Sequence, residues 1–563
     1  MPARQRGAAL LILLALFATA AIYMLVSSLN KGSVTLSLAR AEKNRAVMQE
    51  AKAALIAWSI SETLQTQSGG IFQPGALPCP DRNNDGYQES SCGSSDRLGR
   101  LPYKTLGIAE LRDASGELLW YAVSADFRRR TSNIINSNTQ GQLSISGLAP
   151  ASNAIAVVLA PGARLGSQNR TPDEATCTAN NNKSQPCNTA LNYLEDINGI
   201  ADTTSFVSKI ENLTDSAVAN LFNDQLLAIT HQDLFSVVEP VVAARIERDI
   251  VRQFIYDPSD TSTSTLWNDT AGANKSRYFD AWGAFPFAAQ FTDPSNSNFT
   301  GQAGTYEGLL PLVPGINYTW NSGSVVQTGG SGSLSSTSCN TANSGADLRC
   351  NISYSSGAPR IRMTGTVDKI GRSFAQLPRV SDVSCWIGCS LSSRSLSGSL
   401  DSTGTGTIML DATLPDSSGS KTVTVNINNG GLFVTALAST ASTDIAGWFN
   451  NNEWQMLTYY AVSPGYAPGG AGSCNPSTSP KCLTVNNLAP PYLSPKTDTR
   501  AIIILAGRSL STNPSRPNSN RNDYLEAKNA STGDYDFEHG LGKTTTVAGA
   551  PVAINDRVII IAP

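Results

Sequence analysis

Six short motifs occur twice in this chain, in the same order, and no other feature constrains its fold as strongly. Gly75-Ala-Leu-Pro-Cys-Pro80 is echoed by Gly283-Ala-Phe-Pro-Phe-Ala288, and Gly99-Arg-Leu-Pro-Tyr103 by Gly308-Leu-Leu-Pro-Leu312. Trp120-Tyr-Ala-Val-Ser124 matches Tyr459-Tyr-Ala-Val-Ser463, and Val157-Val-Leu-Ala160 matches Ile503-Ile-Leu-Ala506. Asn192-Tyr-Leu-Glu195 matches Asp523-Tyr-Leu-Glu526, and Asn223-Asp-Gln-Leu-Leu227 matches Asn555-Asp-Arg-Val-Ile559. Any one of these is a common strand or turn, but their shared order predicts a tandem duplication.

Helical periodicity precedes each copy. The stretch from Val34 to Ile60 is rich in Ala, Leu, Glu, Lys and Arg, with Val47, Ala51, Leu55 and Trp58 on one face, and Leu234, Val238, Val242, Ile246, Ile250 and Phe254 recur every four residues, with Pro240 either in the first turns or kinking the helix. Each copy therefore reads as a helix laid on an antiparallel sheet. Gly99 to Tyr121 is a short link, whereas its counterpart from Gly308 to Tyr460 carries a long Gly/Ser/Thr-rich insertion with alternating strands such as Arg360-Ile-Arg-Met-Thr364 and a hairpin signal at Asn428-Asn-Gly-Gly431. The expected class is α+β. A first module covers 63–230, a linking helix 231–255, a second module 256–316 and 444–563, and an all-β insert 317–443. Trp120, Tyr121, Tyr459 and Tyr460 read as core.

Ten cysteines fall in close pairs: Cys79 with Cys92, Cys177 with Cys187, Cys339 with Cys350, Cys385 with Cys389 and Cys474 with Cys482. Neighbouring pairing predicts five local disulfides and an oxidising compartment, although spacing does not fix connectivity. Only 15% of the chain is charged, with a net charge of −3, which argues against a nucleic-acid partner. Two histidines, His231 and His539, leave little material for imidazole catalysis or multi-histidine metal sites. No phosphate-binding loop, dinucleotide fingerprint or nucleophile elbow is present. Arg128-Arg-Arg130 reads as a solvated strand end.

From Ala8 to Val26 the chain is apolar except for Thr19 and Tyr23, about 28 Å of helix, behind Arg4 and Arg6. A cleaved signal peptide is the alternative reading of that run. Followed by the amphipathic stretch, and with Arg4-Gln5-Arg6-Gly7-Ala8-Ala9-Leu10-Leu11-Ile12 at its head, it resembles the N-terminus of type IV pilins and type II secretion pseudopilins over roughly the first 60 residues. The resemblance implies a leader of residues 1–7, cleavage between Gly7 and Ala8 by a prepilin peptidase, methylation of the new terminus, and a transmembrane plus amphipathic helix over 8–62. It also implies a single pass of the inner membrane with the bulk periplasmic, or a filament tip at the cell surface, with other pilins or pseudopilins, the prepilin peptidase and the inner membrane as partners. Ile12 stands where the family usually has Glu, a departure shared by some minor pilins and the large tip pseudopilin.

One motif carries chemistry. In Asp81-Arg-Asn83-Asn-Asp85-Gly86-Tyr87-Gln-Glu89, side-chain oxygens at alternate positions, a glycine at the sixth and a main-chain carbonyl at Tyr87 match the opening of an EF-hand-type calcium loop. Position 12 is Cys92, so the closing acid is missing, and an Asx-rich turn inside a disulfide is the other reading. The expectation for the whole is a non-enzymatic minor pilin or pseudopilin-like subunit that initiates or caps a filament. The alternative is a membrane-anchored adhesin or glycan-binding protein using the β-insert.

Overall fold

The structure, a computed structural model, describes residues 37–61, 73–90, 92, 96–129, 133–171, 177, 186–213, 215–259, 279, 284–302, 304–312, 320–342, 347–367, 382–386, 389–400, 406–428, 444–488, 494–510, 516–540, 543–547 and 550–563. Helix α1 spans 37–61 and buries Asn44, Met48, Ala51, Leu55 and Ser59. Steps of three and four residues place these on one stripe. Val47 and Trp58 are only half-buried, so the stripe is turned slightly from the face expected.

The first module follows with β1 (Leu98–Arg100), β2 (Trp120–Val123), β3 (Leu143–Gly147), β4 (Ala151–Ala154), β5 (Ala156–Ala160), β6 (Ser205–Ser208) and β7 (Gln225–Ile229). Its antiparallel sheet has the order β1-β2-β5-β7, and a smaller sheet has the order β4-β3-β6 with β3 and β6 parallel. Helix α2 (His231–Ile246) continues as a π-helical segment, Glu247–Ile255. Leu234, Val238, Val242, Ile246 and Ile250 form its buried stripe.

Then come β8 (Glu307–Leu309) and the strands of the insert: β9 (Trp320–Gly330), β10 (Leu334–Ala342), β11 (Asp347–Tyr354), β12 (Pro359–Val367), β13 (Asp382–Trp386), β14 (Ser392–Leu400), β15 (Gly406–Thr413) and β16 (Lys421–Asn428). They form two four-stranded sheets, β10-β11-β16-β13 and β14-β15-β12-β9. Along β12, Ile361 and Met363 are buried while Arg360 and Arg362 face out, the alternation of a strand with one wet face. Helix α3 (Asp444–Asn451) leads into β17 (Thr458–Val462), β18 (Leu483–Asn486), β19 (Lys496–Thr499), β20 (Ala501–Leu505), β21 (Asp536–Glu538), β22 (Lys543–Val547), β23 (Ala550–Ile554) and β24 (Arg557–Ala562).

The second module's antiparallel sheet, β24-β20-β17-β8, and its small sheet, β19-β18-β21 with β18 and β21 parallel, have the topology of the first. Register agrees residue by residue. Gly99 pairs with Tyr121, Tyr121 with Val158 and Val158 with Leu227; Gly308 pairs with Tyr460, Tyr460 with Ile503 and Ile503 with Ile559. The runs Ala156–Ala160 and Ala501–Leu505 are buried throughout, as central strands covered on both faces require. In the first module Tyr121 donates its hydroxyl to the Pro78 carbonyl (3.2 Å), and in the second Tyr460 donates to that of Pro286 (3.1 Å). A Cβ on Gly99 would lie 2.6 Å from the Asp81 carbonyl oxygen, and one on Gly308 would lie 2.0 Å from that of Ala289, so both strands need glycine for close main-chain approach.

The α+β class does not stand. Twenty-four strands, most of them short, dominate the described residues, with few helices, and the class is mostly β. Two amphipathic stretches advertise helix by their period, whereas module strands of three to six residues are too short to display one. The expected transmembrane pilin-like helix, and with it the single-pass inner-membrane or filament-tip location, does not stand either: among the described residues no helix is long and apolar enough to cross a membrane. The apolar run Ala8–Val26 and the Gly7–Ala8 junction lie outside the described residues. The chain divides into two compact units, one taking in α1, Gly75–Asn133 and Thr139–Phe235, the other Ile134–Asn138 and Ser236–Pro563.

Candidate functional site

The Asp81 loop is closed by the Cys79–Cys92 disulfide and tied to the sheet by the reciprocal main-chain bonds of Asp81 and Arg100. The Asp81 carboxylate is buried. One oxygen accepts from the Asn83 (3.2 Å) and Asn84 (2.7 Å) N–H groups and the other from the Gly86 N–H (2.7 Å). Burial pushes its pKa up to about 6, against the pull of the Gly86 and Asn84 hydrogen bonds. Asp85 accepts from the Tyr87 N–H (2.8 Å) and from Asn83 Nδ2 (3.1 Å), and Glu89 from the Arg82 N–H (3.2 Å). Lys104 Nζ donates to the Asp85 carbonyl and stands 5.1 Å from the centre of the exposed Tyr87 ring. Asp81, Asn83, Asp85, Tyr87 and Glu89 are thus gathered in one turn whose polar atoms bond chiefly to the loop itself. Among the described residues no group of three His, Cys, Asp or Glu side chains converges to hold a metal. In the second module Ala289 takes the place of Asp81, paired to Leu309 by the same two main-chain bonds.

A groove of about 460 Å³ opens in the first module between α1, the edge strand β7 and the segment after β6. Arg45, Met48, Ser208, Lys209, Ile210 and Gln225 are among its walls. Leu148 and Ile210 at its rim are 61% and 75% exposed. The duplicated register explains why it is open. Ser208 corresponds to His539, Gln225 to Arg557 and Leu226 to Val558. In the second module His539 Nδ1 lies against both the Val558 N–H (3.1 Å) and its carbonyl (3.0 Å), Gly540 N donates to the Asp556 carbonyl (2.7 Å), and Arg557 Nε meets Glu239 of α2 (3.3 Å). A small serine and an uncharged glutamine replace the two plugging side chains in the first module.

The remaining candidates resolve as follows. Cys79–Cys92, Cys177–Cys187, Cys339–Cys350 and Cys474–Cys482 are disulfides between neighbours. Cys389 is also disulfide-bonded, while the Cys385 side chain lies outside the described residues. His231 is buried and stacks on Phe235, with ring centres 4.2 Å apart. Arg128, read as part of a solvated strand end, is buried and donates to the Cys92 carbonyl (3.0 Å). Sequence reasoning passes over the groove altogether, because it comes from a serine and a glutamine whose importance appears only beside their counterparts. Compared with known families, curated proteins and solved structures, the chain matches none.

Proposed function

We propose that this chain is a non-enzymatic subunit of the minor pilin or pseudopilin kind, one that initiates assembly of a type IV pilus or type II secretion filament. The observation that carries the reading is the groove of the first module. At this place in the second copy of the scaffold His539 lies against Val558 and Arg557 against Glu239, whereas the first copy has Ser208 and Gln225 beside a groove with an apolar rim at Leu148 and Ile210. An exposed apolar rim beside a sheet edge is the kind of surface that a neighbouring subunit covers. The resemblance of residues 4–12 to pilin leaders supports the same partners, other pilins or pseudopilins, with the prepilin peptidase acting at Gly7 and Ala8.

The test copies the second module's plug into the first. Ser208→His with Gln225→Arg should fold, since the scaffold accepts both side chains at the equivalent places, and should fail to enter filaments. Wild type should be present at one or a few copies per filament. Unchanged incorporation of the plugged variant, or many wild-type copies along the shaft, would refute the reading. The β-insert offers less: its described aromatic side chains, Trp320 and Tyr354, are buried, so they present no stacking platform for a sugar.

A further inference from the structure

Each module contains a pair of acids that meet inside the protein. In the first, Glu195 lies in the arm between β5 and β6, and Asp224 stands one residue before β7. The Glu195 N–H (2.9 Å) and Asn198 Nδ2 (3.0 Å) both donate to Asp224 Oδ2. In return Glu195 Oε2 accepts from the N–H groups of Asn223 (3.0 Å) and Asp224 (3.2 Å), and Oε1 from Gln168 Nε2 (2.8 Å). The second module repeats this with other residues around it. The Glu526 N–H (2.9 Å) and Asn529 Nδ2 (3.0 Å) donate to Asp556 Oδ2, and Glu526 Oε2 accepts from the Asn555 N–H (3.2 Å).

The oxygen left over decides the chemistry. Asp224 Oδ1 and Asp556 Oδ1 are both buried with no hydrogen-bond partner, yet in each pair the aspartate accepts from the glutamate's N–H and the glutamate accepts from the N–H of the aspartate or of the residue before it, which holds the two carboxyl groups side by side. Two adjacent carboxylates buried together would repel without compensation, whereas one proton between them supplies the missing donor and removes one charge. The nearby arginines do not do this by direct contact. Arg170 bonds the carbonyls of Gly162, Asn192 and Tyr193, and Arg516 those of Gly507, Asp523 and Tyr524.

We propose that each module binds one structural proton, shared by Glu195 and Asp224 in the first and by Glu526 and Asp556 in the second, and that each pair is a clasp holding an edge strand to its sheet until that proton is lost. Burial and the neighbouring acid support it: Glu526 is pushed up to about 9 and Asp556, mainly by burial, to about 6, and both acids of the first pair are raised. The charged and titratable groups around the second pair are Arg516, Arg521, Tyr459 and Glu239. Near the first, Arg170 pairs with Glu117 and Asp196 with Lys209, and Arg45, Lys209 and Glu211 line the groove together with Asp224. Acids whose folded pKa is raised contribute stability that is present at low pH and is lost as pH rises through the folded value, so the clasps weaken on the alkaline side.

The direct measurement is the infrared carbonyl band of protonated carboxyl groups in the full-length protein at pH 8. Wild type should show it, and Glu195→Gln with Glu526→Gln should lose it, because the amide N–H replaces the shared proton. The same variant should lose most of the fall in melting temperature that wild type undergoes between pH 8 and pH 10. A wild-type protein with no protonated-carboxyl band at pH 8 overturns the proposal even if the variant does not fold, and a folded variant that keeps the full alkaline fall overturns it equally.

Discussion

Asp81→Asn is the substitution that most sharply tests how the loop of the first module is held. The Asp81 carboxyl goes from an ordinary 3.8 to about 6 on folding, with burial the leading cause, and it is 1% exposed, so solvent screens it little. At about 1.4 kcal/mol per pH unit, this amounts to about 3 kcal/mol. An acid raised in the folded state contributes stability that is fully present below pH 3.8 and lost as pH rises to about 6, so wild type should weaken by that amount across the interval. Asparagine keeps the oxygen that accepts from Asn83 and Asn84, but turns an N–H toward the Gly86 N–H and forfeits that bond, a loss of about 1.5 to 3 kcal/mol for a charged acceptor. Near pH 7 the two effects roughly cancel, so the substitution should be close to neutral there and remove the pH dependence. The assay is urea unfolding followed by tryptophan fluorescence from pH 3.5 to 7, taken as wild type minus variant, so that Glu239 and Asp556, which titrate in the same range, drop out. Parallel curves for the two proteins would refute the reasoning.

Tyr121→Phe and Tyr460→Phe each remove one buried hydroxyl from an equivalent proline carbonyl and should cost about 1 kcal/mol apiece, additively, by denaturant unfolding. A markedly unequal pair would mean that the two modules hold this bond differently. Calcium, proposed for the loop from Asp81 to Glu89, should raise the melting temperature of wild type and leave Asp85→Ala unmoved; equal melting in calcium and in chelator would leave the turn alone. N-terminal sequencing of the protein from its native host should begin at Ala8, and a terminus near Ala20 would indicate signal peptidase instead.

What is legible in the sequence depends on the length of the pattern. The uninterrupted apolar run Ile502–Leu505 and the alternation of Arg360-Ile-Arg-Met declare buried and half-buried strands on sight, and the structure places them so. Strands such as Leu98–Arg100 and Glu307–Leu309 have three residues each, less than two periods of alternation, and their weight in the fold class is invisible. The acid pairs are in view as repeated Tyr-Leu-Glu and Asn-Asp motifs, but 29 residues separate Glu195 from Asp224, and only the register of β7 on β5 brings them together. Arg128 looks solvated in the sequence for the same reason: its partner is the carbonyl of Cys92, 36 residues earlier.

The insertion between β8 and β17 has a consequence elsewhere in the chain. In the first module the short link between β1 and β2 makes a turn at Asp113–Gly116: the Ala114 N–H donates to Asn44 on α1 (2.6 Å), Asp113 accepts from the Gly162 N–H (2.7 Å), and Arg170 pairs with Glu117 (2.9 Å). The second module has given that link over to the β-insert. Its counterpart of Arg170 is Arg516, and that arginine and Glu239 of α2 are met by a segment from a different part of the chain. Ser137 donates to Glu239 (2.8 Å), Asn138 accepts from Arg516 (2.9 Å), and Ile135 and Asn136 bond Asn452 through their main-chain and side-chain N–H groups (3.1 and 2.7 Å). That is why Ile134–Asn138 belongs to the second compact unit although its sequence neighbours belong to the first. A buried carboxylate at Glu239 needs donors once the local turn is gone, and the loop that follows the β2 strand provides one. Where the β-insert follows β8, Glu239 and Arg516 of the second module therefore take their hydrogen bonds from the loop that follows β2.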